Sequence, residues 1–463
     1  MSSGGRSPLK ATSRSIALQV LTAVEQEGAY SNLLLNGALQ KSRLSGPDAG
    51  LATELVYGTI QRLNTIDFLL EPFVTKGMGK LAPWVRNLLR MSFYQLYYLD
   101  RIPPHAVVNE AVNLAKKRGH QGISGMVNGV LRSVLRRKEE LKLPEKLGPV
   151  QRIALEHSHP EWLVARLLEQ FGESTTEAIC CANNEPPSIS IRVNRAKTSR
   201  EDMLRLLKEQ GISATPSKLA QDGIVVEDGG NMALTPWYRE GLISVQDESS
   251  MLVAEALDLE PGLSVLDCCA APGGKACHIA EILQGSGRVL ANDIHPHKAK
   301  LVKDQANRLG LTNIDIATGD ASKLAERLEL NSFDRVLLDA PCSGLGVIRR
   351  KPDLKWAKTA GDIAEIAGIQ RMLLDTAADL LKPGGLLVYS TCTIDSRENV
   401  DMVSSFLSRH SEFELAADKP AAWETESLAA AADRGSIGLQ ILPQDAHSDG
   451  FYIARLRKKQ GQV

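Results

Sequence analysis

The alternation of apolar and polar positions divides the chain into three regions. From Leu9 to Arg137 apolar residues recur at helical spacing, and no segment shows the period of two that predicts a strand. Between about residues 150 and 240, Ser188–Asn194 alternates strictly, which predicts a half-buried strand among helical stretches. From Val245 onward, short apolar runs alternate with amphipathic segments. This last pattern predicts a doubly wound α/β sheet with a helix after each strand.

Proline-bearing stretches mark the predicted ends of elements and domains. The pair Pro103-Pro104 is predicted to end the aromatic-rich helix that precedes it. The charged stretch Lys138–Pro149 is predicted to be a linker. The predicted organisation is a disordered start, an all-α domain, a small α+β module and a Rossmann-like α/β domain, at residues 1–7, 8–140, 150–240 and 241–463 respectively.

The composition is that of an ordinary globular protein, but its charge is unevenly divided. The 463 residues are 43% hydrophobic and 24% charged, with a formal net charge of −1. Residues 1–150 hold 20 Lys and Arg against 11 Asp and Glu, whereas the rest of the chain holds 34 against 44. A basic helical domain joined to an acidic domain predicts that the basic part meets a polyanion; a plain solvated basic surface is the alternative.

Cysteine usage and hydropathy indicate the compartment. Seven cysteines without a regular framework favour a reducing environment. No run of about 18 apolar residues occurs, and the first ten residues lack a hydrophobic signal core. We therefore expect a cytoplasmic protein without a membrane partner. No metal site is expected, since His157 and His159 lack partners at ligand spacing and are predicted to lie at the surface or at a helix cap.

Two cysteines follow predicted strands of the α/β region. The apolar run Val336–Asp339 leads into Pro341-Cys342-Ser343-Gly344, and a second run, Leu386–Ser390, leads into Thr391-Cys392-Thr393. Because the carboxyl ends of parallel strands meet at one edge of a sheet, both thiols are predicted to lie at the same rim. Two buried apolar cysteines are the alternative. Their shared position, beside Asp339 and a constrained turn, favours nucleophilic chemistry.

A loop of small residues follows the strand Leu263–Asp267 and is predicted to approach a cofactor closely. Its sequence is not a P-loop, since Ala276 stands where Ser or Thr is needed and the first glycine is missing. Asp293 ends the next strand and could hold a ribose diol, and Asp320 could accept from an adenine amino group. Capping of the following helices is the other role open to both carboxylates. The loop residues predicted to bind the cofactor are Cys269, Ala270, Ala271, Pro272, Gly273, Gly274 and Lys275. Asp339 is also predicted to contact the cofactor.

The basic helical region resembles the NusB family of RNA-binding domains over about residues 8–140. The resemblance implies that this domain binds RNA. It rests on four short segments, Ala17–Leu21, Glu54–Gly58, Leu96–Leu99 and Val127–Arg132. The residues expected to contact RNA here are Lys116, Lys117, Arg118, Arg132, Arg136 and Arg137.

The α/β region resembles the RNA (cytosine-C5)-methyltransferases that use S-adenosyl-L-methionine, over about residues 240–457. With the NusB-like region, the chain is similar to the RsmB type, also called Sun or Fmu. That type is implied to methylate one cytosine of 16S ribosomal RNA, usually numbered 967, with no obligate protein partner evident. The segments that carry the resemblance are Asp267–Lys275, Asp293, Gly319-Asp320, Asp339–Gly346, Arg349–Asp353 and Thr391–Thr393.

The resemblance implies a covalent mechanism. Cys392 is implied to be the nucleophile and Cys342 to assist release, whereas the order of residues alone leaves open which thiol does which. Asp339 is the candidate acid beside the base. Lys275 is expected to orient the base or support that acid, with a solvated lysine as the alternative. Basic residues close after Cys342 are expected to meet phosphates, or else form a solvated charge run: Arg349, Arg350 and Lys351.

Two other functions stay open from the sequence. One is methylation of a cytosine in transfer RNA, against which the NusB-like region argues. The other is a non-catalytic RNA-binding or ribosome-assembly role, against which the presence of Cys342, Cys392 and Asp339 argues.

Overall fold

The structure, a computed structural model, describes residues 12–42, 44–418, 420, 423, 425–434 and 437–461. The predicted disordered start at residues 1–7 lies outside them. The chain forms two compact units. One comprises the residues up to Asn184 together with Arg350–Ala357, and the other comprises Glu185–Arg349 and the residues from Lys358 onward. The predicted order of an all-α domain, an α+β module and an α/β domain is confirmed, and the boundaries at 140 and 240 stay predictions.

Helices alone build the regular structure that is described for the first unit. Thr12 begins the first helix with a capping box, and the predicted apolar face of that helix, with Ile16 and Val20, lies in the core. The helices are α1 Ser13–Glu27, α2 Ser31–Ser42, α3 Gly46–Gln61, α4 Leu63–Leu70, α5 Pro83–Tyr98, α6 Pro104–Arg118, α7 Gln121–Arg136, α8 Pro149–Glu156, α9 Glu161–Ala182 and α15 Leu354–Ala357.

The role predicted for the proline pair is wrong. Helix α5 ends at Tyr98, and Pro103 and Pro104 instead begin α6, with Pro104 at its first position. Proline is well tolerated there because its missing N–H would have no intrahelical partner.

A short segment far along the chain completes the helical unit. Lys355 is fully buried, and its Nζ donates to the carbonyl of Gln61 at 3.0 Å and to Oδ1 of Asn184 at 3.3 Å. Nε1 of Trp356 donates to the carbonyl of Ile60 at 2.8 Å. Burial lowers the pKa of Lys355 well below its usual value, because a charged amine loses its hydration there.

The second unit begins with a small four-stranded antiparallel sheet in the order β2-β3-β1-β4. The strand predicted at Ser188–Asn194 is found as β1, but the prediction that it is half-buried is wrong. Arg192, a polar position of the predicted alternation, is also buried. Its burial is possible because its guanidinium donates to the carboxylate of Glu281. The elements are β1 Ile189–Val193, α10 Arg200–Glu209, β2 Ala214–Pro216, β3 Gly223–Val226, α11 Pro236–Arg239 and β4 Ile243–Val245.

An eight-stranded mixed sheet forms the rest of this unit. Its order is β10-β12-β9-β8-β5-β6-β7, with β11 paired to β12. The elements are α12 Glu248–Glu255, β5 Ser264–Asp267, α13 Gly274–Ile282, β6 Arg288–Asp293, α14 Pro296–Leu309, β7 Ile314–Thr318, β8 Phe333–Asp339, α16 Ala360–Leu380, β9 Leu381–Thr391, α17 Val400–Arg409, β10 Phe413–Leu415, α18 Glu426–Asp433, β11 Leu439–Ile441 and β12 Phe451–Lys458.

The central strands of this sheet are parallel and buried on both faces. Strands β5, β6, β8 and β9 pair in parallel, so their carboxyl ends lie at one edge. Val336, Leu337 and Leu338 of β8 are fully buried, as continuous apolar runs in parallel sheets should be. Among the described helices, none has the length and apolarity needed to cross a membrane.

Candidate active site

The carboxyl edge of the sheet collects the polar side chains that were predicted to be functional. Asp267, Asp293 and Asp339 end strands β5, β6 and β8, and Thr391 ends β9. Apolar residues earlier in each strand pack in the core and so fix the position of each strand end. The sheet therefore places the side chains of these three aspartates and of Thr391 at one edge.

The two predicted cysteines meet at this edge. Sγ of Cys342 lies 3.3 Å from Sγ of Cys392. The loops that carry them are joined by a hydrogen bond from the N–H of Gly346 to the carbonyl of Cys392, 3.0 Å long. A side chain at Gly346 could not be accommodated, because a Cβ there would lie 2.0 Å from the carbonyl oxygen of Gly450. This glycine permits the close approach that brings the two thiols together.

The environment of Cys342 disfavours its thiolate. The hydrogen bond with Cys392 and then burial raise the pKa of the Cys342 thiol well above its usual value. Cys342 is therefore protonated at neutral pH while Cys392 is beside it.

Lys275 forms an ion pair with Asp339. Its Nζ lies 2.7 Å from Oδ2 of Asp339, and Oδ1 of the same carboxylate accepts from Oγ of Ser390 at 2.8 Å. Burial disfavours the ammonium, but the neighbouring Asp339 outweighs it and raises the pKa of Lys275. The side chain of Lys275 is only 14% exposed, so the alternative of a solvated lysine is wrong.

The loop of small residues between β5 and α13 is held tightly against β6. The N–H of Ala270 donates to the carbonyl of Asn292 at 2.8 Å, and the N–H of Ala271 donates to Oδ2 of Asp293 at 3.3 Å. Gly273 has φ +108°, and a Cβ there would lie 3.1 Å from Cα of Val302. Both the backbone conformation and the packing require glycine at this position.

Carboxylates surround this loop. Burial and then the charges of four carboxylates raise the pKa of the Cys269 thiol; these are Asp267, Asp339, Asp293 and Asp320. Burial and nearby Asp339 raise the pKa of Asp267 to about 7. Its Oδ2 is buried and lacks a hydrogen-bond partner among the residues that the structure describes. Unsatisfied buried acceptors are costly, and a ligand with cationic and hydrogen-bond donating groups would satisfy them. S-adenosyl-L-methionine, with its sulfonium, amino and ribose hydroxyl groups, fits this lining.

Asp293 and Asp320 also have the local roles that were the alternative to cofactor binding. Oδ1 of Asp293 accepts from the N–H of His295 at 3.0 Å. Oδ1 of Asp320 accepts from the N–H of Ser322 at 3.0 Å and caps a 3-10 helix. Each carboxylate oxygen has two lone pairs, so these backbone contacts leave acceptor capacity for a ligand.

Most of the basic residues predicted to contact RNA are exposed, but Arg349 is buried and Arg350 is half-buried. Arg349 differs from the expectation, since it is buried and its guanidinium donates to the carbonyls of Pro443 and His447 at 2.6 and 2.7 Å. A guanidinium held this way is not presented to a phosphate. Six residues of α6, α7 and the position after α7 are exposed, as is one residue shortly after Arg349: Lys116, Lys117, Arg118, Arg132, Arg136, Arg137 and Lys351.

The predicted surface or capping position of His159 is wrong. His159 is fully buried, and its Nδ1 lies 2.8 Å from the carbonyl of His157. Glu156, His157 and Glu177 bring their ligand atoms within 4.8 Å of one another. The guanidinium of Arg152 already ion-pairs with both glutamates at 2.7 Å.

Sequence reasoning missed three polar residues beside the cysteines. Glu398, Asn399 and Gln370 are fully buried in the part of the fold that holds Cys342 and Cys392. Nδ2 of Asn399 donates to the carbonyl of Thr393 at 3.0 Å. The signal available for Glu398 and Asn399 was the run of polar residues Asp395–Asn399, shortly after the Thr391–Thr393 motif. Gln370 lies within the helix α16 and had no such signal.

The doubly wound sheet, with two cysteines and several aspartates at its carboxyl edge, fits a methyltransferase, and the chain also has a separate helical unit. The matches to known proteins show the class: a methyltransferase with an RNA-binding domain. Three family models match: 16S rRNA methyltransferase RsmB/F over residues 254–457, NusB over 11–136, and the RsmF/B-like ferredoxin-like domain over 159–233. "Probable ribosomal RNA small subunit methyltransferase B" of Bacillus subtilis is 46% identical over 97% of this chain and 99% of its own length. The chain belongs to the RsmB/F family of 16S rRNA methyltransferases.

Further similarities agree with this assignment. The ribosomal RNA small subunit methyltransferase B of Pseudomonas putida is 38% identical over 96% of this chain and 98% of its own length. The crystal structure described as PH0851 is 27% identical, with a TM-score of 0.81 over 97% of this chain and 100% of that chain. A methyltransferase homologue from Pyrococcus horikoshii is 29% identical, with a TM-score of 0.58 over 67% of this chain and 100% of that chain.

Proposed function

We propose that the protein transfers a methyl group from S-adenosyl-L-methionine to carbon 5 of one cytosine in 16S ribosomal RNA, through a covalent bond between Sγ of Cys392 and carbon 6. The nucleotide is the one usually numbered 967 in this family. The observation that carries the proposal is the 3.3 Å separation of the Cys342 and Cys392 sulfur atoms at the rim that also holds the Lys275–Asp339 pair. A cytoplasmic location is part of the same proposal.

Carbon 5 of cytosine is a weak nucleophile, and the first task of the protein is to activate it. Addition of the Cys392 thiolate to carbon 6 gives carbon 5 enamine character. The negative charge that this addition sends toward N3 is relieved by a proton donor beside the ring. In this proposal Asp339 is the acid beside the ring. It takes a proton from Nζ of Lys275, 2.7 Å from its Oδ2, and passes that proton to N3 as the charge develops, which leaves Lys275 neutral.

The second task is to release the product. After methylation, a base must remove the proton from carbon 5 before Cys392 can leave carbon 6. Cys342 is the base in this proposal. Its raised pKa is caused first by the hydrogen bond with Cys392. When Sγ of Cys392 is bonded to carbon 6 of the cytosine, that hydrogen bond is lost. The Cys342 thiol then becomes easier to ionise, at the stage where a group must accept the carbon-5 proton.

The cofactor, when bound, supplies an electrophilic methyl group on a positively charged sulfur. In this proposal the loop Cys269–Lys275 contacts its methionine portion and Asp293 its ribose hydroxyls. Asp320 accepts from its adenine amino group. The acidic lining of the loop supports this assignment, because it favours a cationic ligand.

RNA binding is assigned to exposed basic residues. Arg132 and Arg136 lie four residues apart and hence on one face of α7, and Lys116 and Lys117 lie in the last turn of α6. Arg118, Arg137 and Lys351 complete the exposed set, and the half-buried Arg350 is included with them. Arg349 is omitted because its guanidinium is buried.

The test is methylation of protein-free 16S ribosomal RNA and, in a parallel reaction, of transfer RNA, with isotopically labelled cofactor, followed by mapping of the modified base. Label at carbon 5 of a single cytosine is the expected result. Label only in transfer RNA, or no label with RNA binding retained, would overturn the proposal in favour of the two alternatives raised by the sequence.

A further inference from the structure

Glu398 is a fully buried carboxylate in the loop that follows Cys392. It ends a 3-10 helix, Ser396–Glu398, and its own carbonyl accepts a 2.6 Å hydrogen bond from the hydroxyl of Tyr389 on β9. Burial raises the pKa of this carboxyl above its usual value. Burying a carboxyl group is costly, so the contacts of this side chain require an explanation.

The side chain of Glu398 connects the two loops that carry the cysteines. Its Oε2 accepts from the N–H of Ser343 at 2.8 Å. Its Oε1 lies 2.5 Å from Oγ of Ser343 and 3.2 Å from Oγ1 of Thr393. The two hydroxyl oxygens are themselves 2.8 Å apart. Ser343 directly follows Cys342, and Thr393 directly follows Cys392, so one carboxylate binds the neighbour of each thiol.

A third element joins the same group. Nε2 of Gln370, on α16, donates to Oε2 of Glu398 at 3.0 Å and to the carbonyl of Pro341 at 2.9 Å. Pro341 directly precedes Cys342. The Cys342 loop is therefore held on both sides of the thiol. Glu398 binds Ser343 after it, and Gln370, which is hydrogen-bonded to Glu398, binds Pro341 before it.

We propose that Glu398 is a positioning residue that sets the spacing of the Cys342 and Cys392 sulfur atoms and thereby allows both thiols to act on one base. The inference rests on the proposed function, since that function requires two thiols at one cytosine. The length of the Glu398 side chain is the essential property, because its carboxylate must extend from its own loop to Ser343. A displacement of about 1 Å at a reacting atom can cost about 100-fold in rate.

Two conservative variants separate the effect of side-chain length from the effect of charge at Glu398. Glu398→Gln keeps the length and can accept from the N–H of Ser343 while its amide donates to Oγ of Ser343. Glu398→Asp keeps the charge but is one methylene shorter. Glu365→Gln is the matched control, because Glu365 is exposed on α16.

The first measurement is independent of RNA. Diamide is added to the full-length protein, and the Cys342–Cys392 disulfide is followed by peptide mass; the two thiols lose two protons and two electrons to diamide, which becomes the hydrazine. Disulfide formation requires the sulfur atoms to approach about 2 Å in a defined geometry. We expect Glu398→Asp to form this disulfide about tenfold more slowly, with Glu398→Gln and Glu365→Gln near the wild-type rate.

The second measurement is methylation turnover. We expect Glu398→Asp to lower kcat by about 100-fold with an unchanged Kd for S-adenosyl-L-methionine, and Glu398→Gln to recover most of kcat. Equal cross-linking rates in all variants, or greater damage from Gln than from Asp, would overturn the positioning role. A wild-type protein that cross-links rapidly but methylates no cytosine would instead refute the proposed function, and the two failures are thus distinguishable.

Discussion

Sγ of Cys342 lies 3.3 Å from Sγ of Cys392, although 50 positions separate the two residues in the chain. This proximity follows from the parallel pairing of β8 with β9, which places Asp339 opposite Ser390 and lets both loops leave the sheet at the same edge. Two thiols at this distance can both contact one pyrimidine. We expect the loss of one thiol to block a different step of the reaction from the loss of the other.

Substitution of the two cysteines should separate formation of the covalent bond from its release. Cys392→Ala should abolish both methyl transfer and any covalent complex, because no nucleophile remains. Cys342→Ala should form a denaturant-resistant protein–RNA complex, because the carbon-5 proton is not removed. Denaturing electrophoresis with labelled RNA checks this, with the double variant as control. A complex that persists without Cys392 but not without Cys342 would exchange the two roles.

Substitution of Asp293 should weaken cofactor binding. Asp293→Ala removes an acceptor proposed for the ribose hydroxyls, a loss of about 1.5–3 kcal/mol for a hydrogen bond to a charged group. Calorimetric titration of the full chain with S-adenosyl-L-methionine measures it. Asp293→Asn is the matched variant, because it retains an acceptor for the N–H of His295. Unchanged affinity in the Ala variant would refute the ribose assignment.

Asp267 should make the stability of the second unit depend on pH. Its pKa is about 7 in the folded protein, above the usual value of 3.8, so the folded state holds a proton that the unfolded chain releases. Stability therefore falls as pH rises from about 4 to 7, by at most about 4 kcal/mol. Denaturation of wild type and Asp267→Asn without cofactor, over this pH range, should show a larger fall in the wild type. A smaller fall remains in the variant, because burial also raises the pKa values of Glu255 and Glu398 in this unit. Parallel pH profiles would contradict the assignment.

Trp356 should stabilise the helical unit. Trp356→Ala removes a partly buried indole and its hydrogen bond to the carbonyl of Ile60, which should cost about 2–4 kcal/mol. Trp356→Phe keeps an aromatic ring and should cost about 1 kcal/mol. Urea denaturation followed by far-ultraviolet circular dichroism measures both. Equal stability of all three proteins would show that the segment Arg350–Ala357 contributes little to the helical unit.

The basic face of α7 should bind RNA mainly through phosphates. Replacing both Arg132 and Arg136 by Gln should weaken binding and reduce the slope of log affinity against log salt by about 0.7–0.9 for each lost contact. Lys41→Gln is the control, because Lys41 is an exposed residue in the last turn of α2. An unchanged salt slope would remove α7 from the RNA-binding surface.

Local periodicity determined much of the fold. Apolar spacing predicted the helical first region, and the alternation of strands with helices predicted the α/β domain, because secondary structure places side chains at fixed intervals along the chain. The prediction that Cys342 and Cys392 share one rim also came from the sequence, since parallel strands end at a common edge.

Contacts between distant residues were decided only by the tertiary structure. Spacing along the chain could not show that Glu398 binds Ser343, that Gln370 binds the carbonyl of Pro341, or that Lys355 completes the helical unit. The same reason explains the error at Arg349, a basic residue in a polar run whose guanidinium is buried against two carbonyls. A charged side chain looks alike in the sequence whether it meets solvent, a ligand or a buried partner, because its surroundings come from segments brought together only by folding.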